Sequence, residues 1–167
     1  MTPQETLGSL IDKAIVWETM ARDLYASLSA AFAAQPEAAA LWHQMSLDEA
    51  HHADVCETVR ATLTASRLSE PIGPDHHRQI HAVDALWAAV ASRTIRTLDD
   101  AYETAHELEA SEINVVFRLV TLGVFDDPLR ERVLAAQLDE HVHRLDTFGR
   151  TCGRTCRRLI LLGADEG

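Results

Sequence analysis

Asp48-Glu49-Ala50-His51-His52 and Asp139-Glu140-His141-Val142-His143 decide how this chain is read, because each sets a glutamate and a histidine three residues apart. On a helix, positions i and i+3 share a face, so each pair can grip one metal ion. The spacing alone is near chance: 13 glutamates and 9 histidines in 167 residues predict roughly 0.7 such pairs, and a third, Glu103-x-x-His106, is present. Setting is what distinguishes the first two. Each glutamate follows an aspartate and interrupts an apolar stripe, with Trp42, Met45, Cys56 and Val59 around Glu49 and Val133 and Ala136 before Glu140. A lone carboxylate in a core is costly, and a cation shared among several resolves the cost.

Register carries the argument to the whole chain. Glu18 precedes Glu49 by 31 residues and Glu109 precedes Glu140 by 31, so one offset of 91 maps Glu18, Glu49 and His52 onto Glu109, Glu140 and His143. Periodicity and breakers predict helices over Thr6–Phe32, Pro36–Leu68, Leu98–Leu122 and Pro128–Phe148, with turns at Gln35-Pro36 and near residue 125. Each turn lies about midway between its two glutamates, so both antiparallel hairpins level them. The expected fold is all-α: a four-helix bundle of two hairpins (about 5–68 and 98–148) joined by a long crossover (69–97), with an extension over 149–167, all in one domain. Pro71, Gly73 and Pro74 mark a non-helical break over Ser69–Arg78, Asp84–Arg93 reads as a short helix, and Thr97-Leu-Asp-Asp100 reads as a capping box.

Composition agrees with a single helical domain. Hydrophobic residues make up 47% of the chain while glycine (7), proline (5) and aromatics (5%) are scarce, which favours helix. Fifteen Lys plus Arg against 26 Asp plus Glu leave a net charge of −11, which argues against nucleic-acid and membrane-surface partners. No apolar run approaches the roughly 20 residues that span a bilayer, and Met1–Glu5 lack a secretion signal's basic start; a cytoplasmic location is expected. Cys56, Cys152 and Cys156 form no C-x-x-C pair, so neither a zinc ribbon nor a rubredoxin-type iron site can be built from them.

With these residues in place, the chain resembles the rubrerythrin-like branch of the ferritin-like di-iron carboxylate superfamily over about residues 5–148. Glu18-Thr-Met-Ala-Arg-Asp-Leu-Tyr25 looks like that branch's Glu-x-x-Ala-Arg-x-x-Tyr, Leu41–His52 like its second-helix segment, and Glu109-x-x-Glu112 like its paired third-helix glutamates. The family's rubredoxin domain has no counterpart here, so electrons would come from an external donor such as a rubredoxin-like protein.

The metal ligands expected are therefore Glu18, Glu49, His52, Glu109, Glu112, Glu140 and His143, with Tyr25, Asp48 and Asp139 beside them. Tyr25 is placed to hydrogen-bond a ligand carboxylate and is one-sided, since Val116 stands at the offset of 91. Asp48 and Asp139 are placed to orient a ligand histidine from the facing helix. Glu103 and His106 read as a decoy, about 240° around the helix from Glu109; His43, His51, His76, His77, His81 and His141 read as surface or linker residues. Oxygen and imidazole ligands suit two iron ions, with manganese or zinc as alternatives.

The resemblance implies a peroxidase or oxidase in which ferrous iron reduces hydrogen peroxide or dioxygen by two electrons. The alternatives are iron storage, delivery or sensing without turnover, and a di-iron hydroxylase of an organic substrate. A homo-oligomer is expected, a dimer favoured.

Overall fold

The computed structural model describes residues 5–111 and 143–148, and among them every regular element is a helix. Helix α1 (Leu7–Ala31) opens on a capping box in which the Thr6 hydroxyl accepts from the Ser9 N–H at 3.3 Å and Ser9 Oγ accepts from the Thr6 N–H at 2.8 Å. Its buried residues, Ile11, Ala14, Glu18, Ala21, Tyr25 and Leu28, recur every three or four positions, so one stripe faces inward. Pro36 opens α2 (Pro36–Thr62), where its missing N–H needs no partner. The inward stripe of α2 is Trp42, Met45, Glu49, His52, Cys56 and Val59.

The two helices run antiparallel and are stitched through their backbones. Ser29 Oγ donates to the Ala39 carbonyl at 2.9 Å and Ser46 Oγ to the Arg22 carbonyl at 3.0 Å. At the open end of the hairpin Arg60 pairs with Asp12. This register sets Glu18 level with Glu49, as the spacing predicts.

Three expected boundaries move. The second helix ends at Thr62, not Leu68: Leu63 is extended (ψ 142°) and Thr64 starts the separate turn α3 (Ala65–Leu68) by accepting from the Arg67 N–H at 3.3 Å. A threonine hydroxyl offers the backbone a cap that competes with helix continuation. Gly8 lets α1 approach this turn, since a Cβ there would stand 3.0 Å from the Leu68 carbonyl oxygen. Second, the crossover is helical from Pro74, as α4 (Pro74–Ala91), so Pro74 starts a helix where the sequence suggested only a break. Third, α5 (Leu98–Glu109) begins at the expected capping box of Thr97 and Asp100 but stops at Glu109, with the Ala110 N–H closing on the His106 carbonyl at 3.0 Å. The rest of the expected third helix and residues 128–142 of the fourth lie outside the described residues, as does the extension over 149–167.

The crossover packs on the first hairpin. Leu7 N–H donates to the Glu70 carbonyl at 2.8 Å and Ile72 N–H to the Glu5 carbonyl at 3.2 Å, forming an isolated bridge between Thr6 and Pro71. Asp84 on α4 receives Lys13 Nζ at 2.6 Å and the buried Trp17 Nε1 at 3.1 Å, and Ile80, Val83, Trp87 and Val90 join the core of α1 and α2. Residues 143–148 form a further helical segment between α2 and α5: Arg144 pairs with Asp48, Asp146 stands 3.8 Å from His106, and Leu145 is buried. No helix among the described residues is long and apolar enough to cross a membrane.

Candidate metal centre

Glu18 from α1 and Glu49 and His52 from α2 meet in the core of the hairpin. All three are at most 3% exposed, and one ligand atom from each lies within 4.8 Å of the other two. His52 Nδ1 stands 3.1 Å from Glu49 Oε2 and 3.6 Å from Glu18 Oε2. Atoms bound at about 2.0–2.2 Å to one shared ion stand about 3.0–3.5 Å apart; the 3.1 Å spacing lies in that range and the 3.6 Å spacing just beyond it. The donor set, two carboxylates and an imidazole, suits iron, manganese or zinc.

The electrostatics point the same way. Burial, reinforced by the neighbouring Glu49, pushes the Glu18 carboxyl up to about 8 against the pull of His52. For His52, burial alone would lower the pKa, but hydrogen bonds to Glu18 and Glu49 outweigh it and raise it to about 9. The metal-free cluster thus holds protons where a cation would sit. Burying two carboxylates beside one another is costly, and a cation would satisfy all three groups together.

Glu109, at the end of α5, is 7% exposed and accepts a hydrogen bond from Tyr25 Oη at 2.6 Å. Tyr25 is fully buried and lies parallel to Trp42, ring centroids 6.0 Å apart and planes within 9°. Burial, followed by the charges of Glu109 and Glu49, raises its phenol well above the usual value, so Tyr25 remains a donor. Glu109 is not one of the three residues grouped within 4.8 Å.

His143 is exposed and lines a cleft of about 470 Å³ with Glu37, Leu41, Gln44, Arg144 and Phe148, outside the Glu18–Glu49–His52 group. Asp48 is half-buried; its described partners are Gln44 Nε2 at 2.9 Å and Arg144, where the sequence suggested a ligand histidine. Glu112, Asp139 and Glu140 lie outside the described residues. Glu103 and His106 are both exposed, in keeping with a decoy, and Cys56 is a buried thiol whose pKa is raised by burial and by the charge of Glu18.

Sequence reasoning missed the roles of Trp42 as the platform under Tyr25 and of Asp84 as the clasp on Trp17. Trp42 was visible only as an apolar position, because stacking depends on the angle between helices. Comparison with protein-family models, with curated proteins and with solved structures finds no match for this chain.

Proposed function

We propose that this chain is a di-iron oxidoreductase of the ferritin-like, rubrerythrin-type class, reducing hydrogen peroxide or dioxygen with electrons from a separate donor protein. The observation that carries the reading is the buried Glu18–Glu49–His52 group, whose ligand atoms lie within 4.8 Å of one another and could hold an ion. The second half of the ligand set is read from the 91-residue offset, with Glu109 already buried beside the phenol of Tyr25.

Glu18, Glu49 and His52 would hold an ion on one side, and Glu109, with Glu112 and with Glu140 of the same 91-residue pattern, would supply donors for a second. Iron bound there supplies the two electrons that, with two protons, take hydrogen peroxide to two waters. The chain's own contribution is to keep the donors in a dry core where their charges act strongly. Burial also leaves the carboxylates with reason to prefer a cation over water. Two of these ligands, Glu18 and His52, hold protons in the metal-free chain and would give them up when an ion binds.

The test is direct. Metal-free protein loaded anaerobically with ferrous iron should bind two ions per chain and, on mixing with hydrogen peroxide, develop ferric absorption with peroxide consumed in proportion. Binding of two irons with no absorption change sinks the oxidoreductase reading, and a closed shell of about two dozen chains that accumulates iron beyond two per chain would replace it with storage.

A further inference from the structure

We propose that Ser46 positions the metal centre: its hydroxyl bond to the Arg22 carbonyl fixes the register of α1 against α2, and the Glu18–Glu49–His52 group binds an ion tightly only while that bond is made. The proposal rests on the metal-binding reading above and deepens it by naming a residue that does not touch the ion yet sets its affinity.

The three ligands come from two helices, Glu18 from α1 and Glu49 and His52 from α2. Helical spacing fixes Glu49 and His52 relative to each other, with their atoms 3.1 Å apart. Glu18 is different, because its 3.6 Å approach to His52 depends on how far α1 has slid along α2. A slide of one residue moves a side chain about 1.5 Å along the axis, against a tolerance of about 0.2 Å in a metal–ligand distance. Whatever holds the slide therefore holds the affinity.

Ser46 sits where the slide is held. It is three residues before Glu49 on α2, and Arg22 is four residues after Glu18 on α1. Because the helices run antiparallel, both steps lead the same way, and the bond crosses the hairpin about 5 Å, or one turn, from the glutamates. Ser46 is buried, and its Oγ donates to the Arg22 carbonyl oxygen at 3.0 Å. A serine hydroxyl stands one bond beyond Cβ, so this hydrogen bond ties one backbone to the other with little slack. Two other ties across the hairpin are looser or more distant. Arg60 and Asp12 pair through side chains that are about half exposed and can follow a slide. Ser29 makes the same kind of bond, to the Ala39 carbonyl at 2.9 Å, but it lies eleven residues beyond Glu18, about 16 Å along the helix.

Anaerobic titration of the metal-free full chain with cobalt(II), followed by calorimetry and by cobalt's visible absorption, reads affinity and ligand geometry together. The ion in question is the one whose binding Glu49→Gln removes. Ser46→Ala should weaken that step about tenfold, the loss expected when a group that orients a ligand is taken away, and should shift its absorption bands. Ser29→Ala removes a matching bond away from the centre. It should lower the melting temperature of the metal-free chain by a similar amount and leave cobalt affinity and bands at their wild-type values. Ser46→Thr, which returns the hydroxyl, should return both.

Wild-type affinity and bands in Ser46→Ala, an equal loss in Ser29→Ala, or a Ser46→Thr chain as weak as the alanine variant would overturn the positioning role while metal binding stands. No cobalt bound by the wild type, or binding that Glu49→Gln leaves intact, would overturn the metal-binding reading and this inference together. Alanine is the better helix former, so Ser46→Ala should fold, as far-ultraviolet circular dichroism checks. Should it not, Ser29→Ala and Ser46→Thr still decide, since cobalt binding weakened in the first or lost in the second refutes the assignment.

Discussion

Glu18 and His52 hold protons that exposed counterparts would release, and this fixes how the metal-free chain answers to pH. Both folded-state values are raised, Glu18 from 4.5 to about 8 and His52 from 6.5 to about 9. The stability contributed by His52 is full below pH 6.5 and lost as pH climbs through about 9; that of Glu18 is full below pH 4.5 and lost through about 8. Melting temperature in the presence of chelator is therefore expected to fall between pH 6 and pH 9, and Glu18→Gln should flatten the lower part of that fall; an unchanging profile in the wild type contradicts the assignment. Apparent metal affinity should run the opposite way and rise with pH, because binding must expel those protons. Glu18, Glu49 and His52 were legible in the sequence because helical period and one hairpin turn set them level. The facing of His143 was not, since the inward residue of its segment is Leu145, two positions and about 200° further round.

Among the elements, α4 is tied to α1 by one carboxylate in addition to its buried apolar face. Asp84 is the acceptor for the indole of Trp17, a ring only 3% exposed, and it also pairs with Lys13. Asp84→Ala leaves that indole N–H without its acceptor and should cost about 1–3 kcal/mol in denaturant unfolding. Hydrogen exchange should rise in α4 before α2. Asp84→Asn keeps an acceptor and loses only a half-exposed ion pair, so its cost should stay within about 1 kcal/mol. The crossover also shows why element boundaries were read unevenly. Pro36 and Pro74 carry the same signal, proline in a first helical turn, yet Pro74 sits beside Pro71 and Gly73, and three breakers within four positions suggested a coil. Thr64 hid in the opposite way, as one of several polar residues in a breaker-free stretch, with a capping hydrogen bond that appears only once the chain has turned.

On the scale of the whole molecule, a chain of net charge −11 that buries glutamates inside its core gains on two counts from binding cations. Saturating metal is expected to raise its melting temperature and chelator to reverse the rise, with about 2.7 kcal/mol of added stability when free metal stands at a hundred times its dissociation constant. Scanning calorimetry with and without metal measures this, and equal melting temperatures would show that the core gains nothing from an ion. A feature of chain order gives the centre a history as well as a shape. Its three grouped residues lie 31 and 34 positions apart within a single hairpin, and another 57 positions separate His52 from Glu109. Contacts this local close early, and chains fold from the N-terminal side as they are made. A growing polypeptide has all three donors in hand before α5 has been synthesised, so the residues that would take an ion precede the rest of the bundle in the order of synthesis.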